Sequence, residues 1–262
     1  MSCCKINSQE PLSCPGAHTG GRALAQVLGA AGLLALATAT PGTVARGAGA
    51  EPWITTWAAT PAPRWAEELP VPFGVPEVLG NQTVRQVVRI SVGGDQLRVM
   101  ISNEFGTRPL TIGAATVALV AGGSAVDPAT IKALSFGGRA FAVIPPGAPL
   151  ISDPVDLPVK ALASVAVSLY LPKRTGLGSV HWDGVQTGYI SVPGDMTAAA
   201  DLKTESTTKS RILLSRVMTT AKPDSSAIVF FGDSITDGNC STVDANNRWP
   251  DHIAEATRIS PS

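Results

Sequence analysis

Charge of either sign is scarce in this 262-residue chain: Lys and Arg together number 20, Asp and Glu also 20, and the formal net charge is zero. No global field therefore points towards nucleic acid or an anionic membrane surface. Cysteine is scarce too, with four residues. No pair of cysteines has metal-site spacing with a suitable histidine, so neither a metal nor another cofactor is expected. Cys3, Cys4 and Cys14 lie in a segment expected to be removed, which leaves Cys240 and no internal disulfide in the processed chain. Long apolar runs are missing as well. The stretch from Ala23 to Ala37 is too short and too rich in Ala and Gly for a stable membrane span. Helix formers such as Lys and Glu are few, whereas Gly, Pro, Val and Thr are frequent. That mix indicates a β-rich protein with many turns.

The first fifty residues read as an export signal, so the protein is expected to be secreted. Arg22 precedes the apolar stretch, and Ala48-Gly49-Ala50 supplies a small-x-small cleavage site before Glu51. An uncleaved anchor is the alternative, and the twenty residues ahead of Arg22 also fit initiation further downstream. Leu12-Ser13-Cys14 is discounted as a lipobox because no hydrophobic region precedes it.

Residues 51–80 are rich in Pro and Trp, which forbids a long helix and leaves an extended lead-in segment with one short strand at Trp53–Ala58. Its three tryptophans are expected to pack against neighbouring structure; a sugar-stacking platform is the alternative. Residues 81–220 read as a β-sandwich-like domain. Val88, Ile90 and Val92 alternate with Arg89 and Ser91, and after Gly93-Gly94-Asp95 the residues Leu97, Val99 and Ile101 alternate with Arg98, Met100 and Ser102. Period-two alternation on both sides of a glycine turn predicts a β-hairpin with one buried face. Further strands are expected at residues 112–120, 139–144, 164–171 and 211–218. Strands of this length and spacing suit a sandwich.

After the polar joint at residues 221–226 the pattern changes. Residues 227–231, AIVFF, form a continuous apolar run, as suits a parallel strand buried on both faces of an α/β layer. Such a strand needs neighbours, so it is expected to be poorly supported alone. Gly232-Asp233-Ser234 ends the run, and Pro250 falls where the first turn of a helix tolerates it, predicting a helix over residues 249–258. A serine at the carboxyl edge of a parallel strand lies where ligands bind in open α/β folds. Serine needs a neighbouring base to act as a nucleophile, and the Ser234 backbone N–H is a candidate oxyanion donor. Asp233 and Asp237 are expected to brace the loop by hydrogen bonds to backbone amides. Taken by itself, Gly-Asp-Ser after a strand is more often an ordinary loop, and it is not the G-x-S-x-G elbow.

The longer string is more specific. FFGDSITDG, followed by STVDANNRWPDHIA, resembles block I of the SGNH/GDSL hydrolases, over about residues 228–254. It resembles in particular a secreted bacterial esterase (lipase/acylhydrolase) group. TWAATPAPR, NQTVRQVVRIS, ISNEFGTRPL and GYISVPGDMT resemble the β-rich N-terminal domain of that group, over about residues 53–197. The resemblance implies a β-sandwich N-terminal domain followed by the first strand and helix of an SGNH-type α/β/α, flavodoxin-like, hydrolase domain. It implies Ser234 as nucleophile, with Gly232, Asp233 and Asp237 as supporting loop residues. It also implies a His and Asp from a later D-x-x-H block, with oxyanion donors from a glycine and an asparagine in two further blocks. None of these later blocks is visible, so residues 225–262 are expected to be a truncated start of the hydrolase domain and the chain to be inactive alone.

Local substitutes for the missing base are not expected to serve. Asp251 and His252 are adjacent on one helix and point to different faces. His181 is expected to be packed or solvated, with an interdomain contact as the alternative. The triplets beginning at Asn81 and Asn239 match the short glycosylation pattern. The expected partner is an ester substrate, with acylated carbohydrate and lipid among the candidates. The alternative function is a non-catalytic, carbohydrate-binding β-sandwich; a peptidase ranks third.

Overall fold

Along Ser164–Leu171 the expected inward residues Val165, Val167, Leu169 and Leu171 are all buried, and Ala166 and Ser168 between them are buried as well, so this strand is covered on both faces. The computed structural model describes residues 52–64, 75–220, 222 and 225–257, all within the unit Glu51–Ser262. The expected export segment, with Cys3, Cys4 and Cys14, lies outside them, as do Trp65 and the end of the expected helix at Arg258.

The described chain is predominantly β-strand, in two principal antiparallel sheets. In one, the strands run in the order Trp53–Ala58, Leu214–Thr220, Gly94–Ser102 and Pro149–Ile151, with Val155–Val159 also on Gly94–Ser102. The other has Thr204–Thr208, Gly188–Ser191, Gln82–Arg89, Ser164–Leu171, Ala114–Gly122 and Ala125–Val126, with Lys132–Ala133 also on Ala114–Gly122. Both contribute to one hydrophobic cluster: Val84, Val88, Val167 and Leu169 from the second sheet meet Val99, Ile101 and Val217 from the first. Burying each such side chain contributes about 1.5–3 kcal/mol.

The second sheet also buries polar side chains on its other face, and there they are matched. Arg85 is fully buried, yet its Nε donates to Ser168 Oγ at 2.9 Å and its terminal nitrogens donate to the carbonyls of Ser124, Met196, Ala199 and Ala200. Burial still pushes this guanidinium below its ordinary value, against the attraction of Asp201. Gln86, on the core side, serves as a partner for backbone. Its amide donates to the Ile212 carbonyl at 2.7 Å and accepts from the Ile212 N–H at 2.8 Å.

Two expectations need correction. The strands Gln82–Arg89 and Gly94–Ser102 both form, but they are not a hairpin: they belong to different sheets. Between them the chain arches across, with the Ile90 N–H donating to Ala163 O and the Ser91 N–H to Thr56 O. Gly93 is needed for close approach instead of a tight turn, because a Cβ there would lie 2.3 Å from the Val159 carbonyl. Side-chain alternation reports which face is buried but not which strand is the neighbour, so an arch and a hairpin give the same sequence pattern.

Second, residues 227–231 do not form a strand. No described strand pairs with them, and Val229 and Phe231 are 87% and 101% exposed. The helix after them does form, as Trp249–Ala256, with Pro250 in its first turn. Among the described residues no helix is long and apolar enough to cross a membrane.

Candidate functional site

Gly-Asp-Ser-Ile-Thr-Asp-Gly folds into a single helical turn, Ser234–Asp237. Asp233 caps it, accepting a hydrogen bond from the Ile235 N–H at 3.0 Å. Gly238 closes it in the left-handed region with φ 92°, and its N–H donates to the Ser234 and Ile235 carbonyls. Two glycines are sterically required. A Cβ on Gly232 would lie 2.1 Å from Thr236 Oγ1, and one on Gly238 would lie 2.2 Å from Arg248 Cγ. Ser234 is exposed, and its hydroxyl and backbone N–H bond to no described residue. Both groups are thus accessible, and among the described residues no side chain lies against the hydroxyl as a base would.

Asp237 behaves differently from expectation. Its carboxylate braces no backbone amide; Oδ1 lies 3.2 Å from His181 Nε2. His181, expected to be packed or solvated, instead reaches the Ser234 turn with its ring. The imidazole is fixed from the other side by Thr60 O, 2.9 Å from Nδ1. Further along, Asp244 accepts from the Thr187 N–H at 2.6 Å and from the Thr187 hydroxyl at 2.7 Å, while its own N–H donates to Val185 O. Arg89 reaches Glu255 at 2.8 Å. Three polar contacts thus dock residues 225–257 on the β-rich region.

Beneath them lies Arg211, fully buried, with its guanidinium 5.2 Å from the Trp57 ring. It donates to Val87 O at 2.6 Å and, at longer range, to Gly184 O and Gln186 Oε1, while Nε has no partner. Burial above all, then the nearby Arg248, pushes it down to about 9, with Asp244 opposing.

Asp251 and His252 do not cooperate. Asp251 is held by Arg248, whose Nε and a terminal nitrogen donate to its two oxygens at 2.8 and 3.0 Å. His252 is exposed and faces Glu255 at 3.7 Å. Phe230 packs edge-on against Trp249 with centroids 4.6 Å apart. A cavity of about 520 Å³ lies between residues 55–58 and 90–92 on one side and residues 226–230 and Ile253 on the other; Ser234 does not line it. Trp57 is buried, and Trp53 carries the Arg98 guanidinium 5.1 Å from its ring. These two tryptophans pack, as expected, instead of forming an open platform.

Cys240 is exposed just beyond the Ser234 turn, with its Sγ 3.1 Å from Asn239 Oδ1. Sequence reasoning missed Asp244 and Arg211. Asp244 falls within the STVDANNRWP stretch, but nothing in that string marks it as an anchor to Thr187. Arg211 lies in an expected strand, but nothing local marks it as buried.

No protein-family model matches the chain, and no curated protein matches it.

Proposed function

We propose that this chain carries the nucleophile block of a secreted SGNH/GDSL-type serine esterase, an acylhydrolase of carboxylic esters with Ser234 as nucleophile. One observation carries the reading: the string FFGDSITDG, with Arg248-Trp249-Pro250 at the following helix start, sits on a turn that leaves the Ser234 hydroxyl exposed. On this reading residues 81–220 are the β-sandwich N-terminal domain, and residues 225–257 hold the start of an SGNH-type hydrolase layer, with its helix at Trp249–Ala256. Gly232 and Asp233 shape the turn, and Asp237 ties it to the β-rich region.

Ser234 Oγ would attack the acyl carbon while its proton passes to a base. The tetrahedral oxyanion would accept from the Ser234 N–H among other donors. The alcohol leaves with that proton, and water then hydrolyses the acyl-enzyme to acid and free serine. No described residue supplies the base. Loss of a serine hydrolase's base lowers turnover by up to about a million-fold, so the described residues alone support little or no turnover. Acylated carbohydrate and lipid are the candidate substrates.

The test uses the protein isolated from its native host. A fluorophosphonate probe should label the peptide containing Ser234, and Ser234→Ala introduced in the gene should abolish both labelling and p-nitrophenyl acetate hydrolysis. Undiminished hydrolysis by that variant refutes the assignment. The carbohydrate-binding alternative gains nothing from Trp53 and Trp57, whose rings are taken up by packing and by arginine.

A further inference from the structure

We infer that His181 is a positioning residue for the Ser234 turn and that its imidazolium form, which alone can donate to both Thr60 and Asp237, holds this turn more firmly than the neutral ring. The inference rests on the esterase reading for its purpose, but not for its geometry. The two ring nitrogens face two groups that only accept: the Thr60 carbonyl at 2.9 Å from Nδ1 and the Asp237 carboxylate at 3.2 Å from Nε2. A neutral imidazole has one N–H and one lone pair, so either tautomer turns a lone pair towards an acceptor. The imidazolium has two N–H groups and satisfies both.

The link is short and leads directly to the nucleophile. His181 ends the strand Ser179–His181, which is paired on one side with Arg211–Ile212 and on the other with Ala62–Pro63. Asp237 ends the one-turn helix that begins at Ser234. Its carboxylate has no other polar partner among the described residues, so the pair is its sole anchor. Arg211 stands opposite His181 in the strand register. Asp237 lies at contact distance of the ring, and Arg248 packs at Gly238, next in sequence to Asp237. His252, the other described histidine, is engaged separately with Glu255.

Histidine is the side chain that ordinarily changes charge between about pH 5 and about pH 8. The turn should therefore be held more firmly at the lower pH. The experiment is hydrogen exchange on the full chain at about pH 5 and about pH 8, corrected for intrinsic rates. Protection of residues 232–241 should fall by up to about fivefold with rising pH, the scale of a partly exposed ion pair. In His181→Ala and in Asp237→Asn it should be low at both pH values. The Ser164–Leu171 strand serves as the folding control, and Asp237→Asn, lying in the exposed turn, decides the matter if His181→Ala disturbs that control. Protection that ignores pH in the unaltered protein, or pH dependence that survives Asp237→Asn, overturns the inference. Ser234→Ala should leave the exchange pattern unchanged, so failure of the nucleophile assignment registers separately as intact fluorophosphonate labelling.

Discussion

Ile90, Val99 and Val167 have no exposed surface, whereas Val229 and Phe231, equally apolar, are almost wholly exposed. The first three belong to the β-rich region and the last two to residues 225–257. Composition does not separate them; the supply of backbone partners does. Gln82–Arg89 lies between two strands and can be buried on both faces, because every N–H and C=O it takes from water has a replacement. Residues 227–231 have no described partner strand, and burying them would leave those groups unmatched. Polar side chains follow the same division. Arg85 is inward and matched, while His181, Asp244 and Glu255 make their contacts at the margin where the two regions meet.

The contrast can be broken most forcefully from inside the β-rich region. Arg85→Met should destabilise the fold by about 3–5 kcal/mol, because each buried acceptor left unmade costs roughly 1–3 kcal/mol. Urea denaturation followed by tryptophan fluorescence would measure it, and a neutral result would mean that the four carbonyls find water. Leu169→Ala should cost about 2–5 kcal/mol in the same assay. Val229→Ser, an exchange of comparable chemical size, should stay within about 0.5 kcal/mol and reduce aggregation. If Val229→Ser cost as much as Leu169→Ala, the regional contrast would be false.

A smaller effect is expected at the margin. Gly238→Ala places a Cβ in the left-handed region and against Arg248, so it should loosen the Ser234 turn by about 1–3 kcal/mol, seen as faster amide exchange there with the β-rich region unchanged. The smallest effect concerns pH. Asp153 is held below the usual carboxylate range first by the Gly138 N–H and then by the Ser135 hydroxyl. A carboxyl depressed in the folded state adds stability that is complete above its unfolded value, about 3.9, and is lost as pH falls through the lower folded one. Melting temperatures taken across that acid range should therefore fall less steeply for Asp153→Asn than for the unaltered protein.

Much of the β-rich region is legible locally. Trp53–Ala58 and Ser164–Leu171 have the expected bounds, because strands with an inward face write that face into every second residue. The Gly93-Gly94 arch was not legible, since partner choice depends on residues far along the chain. The same holds for the candidate site. Asp233 capping the turn follows from two adjacent residues, whereas Asp237 meeting His181 follows from the closure of sheets between them. The run at residues 227–231 has the composition of a buried strand and lacks the neighbours that would make it one. Ser234 as nucleophile rests on motif resemblance alone.

Trp53 pairs with Thr220, so the first described strand closes the sheet against the last. That register has a consequence in time. As the chain leaves the ribosome, Trp53–Ala58 has no partner until Leu214–Thr220 has been made, and Gly94–Ser102, which can pair earlier with Pro149–Ile151 and Val155–Val159, gains its other neighbour only then. Topologies dominated by such distant pairings fold slowly, in about milliseconds to seconds. Until then Ile54 and Trp57 stand among unpaired edges, the state in which chaperones bind and in which nascent chains stick to one another. The first-to-last pairing thus puts one edge of this sheet among the last parts that can form.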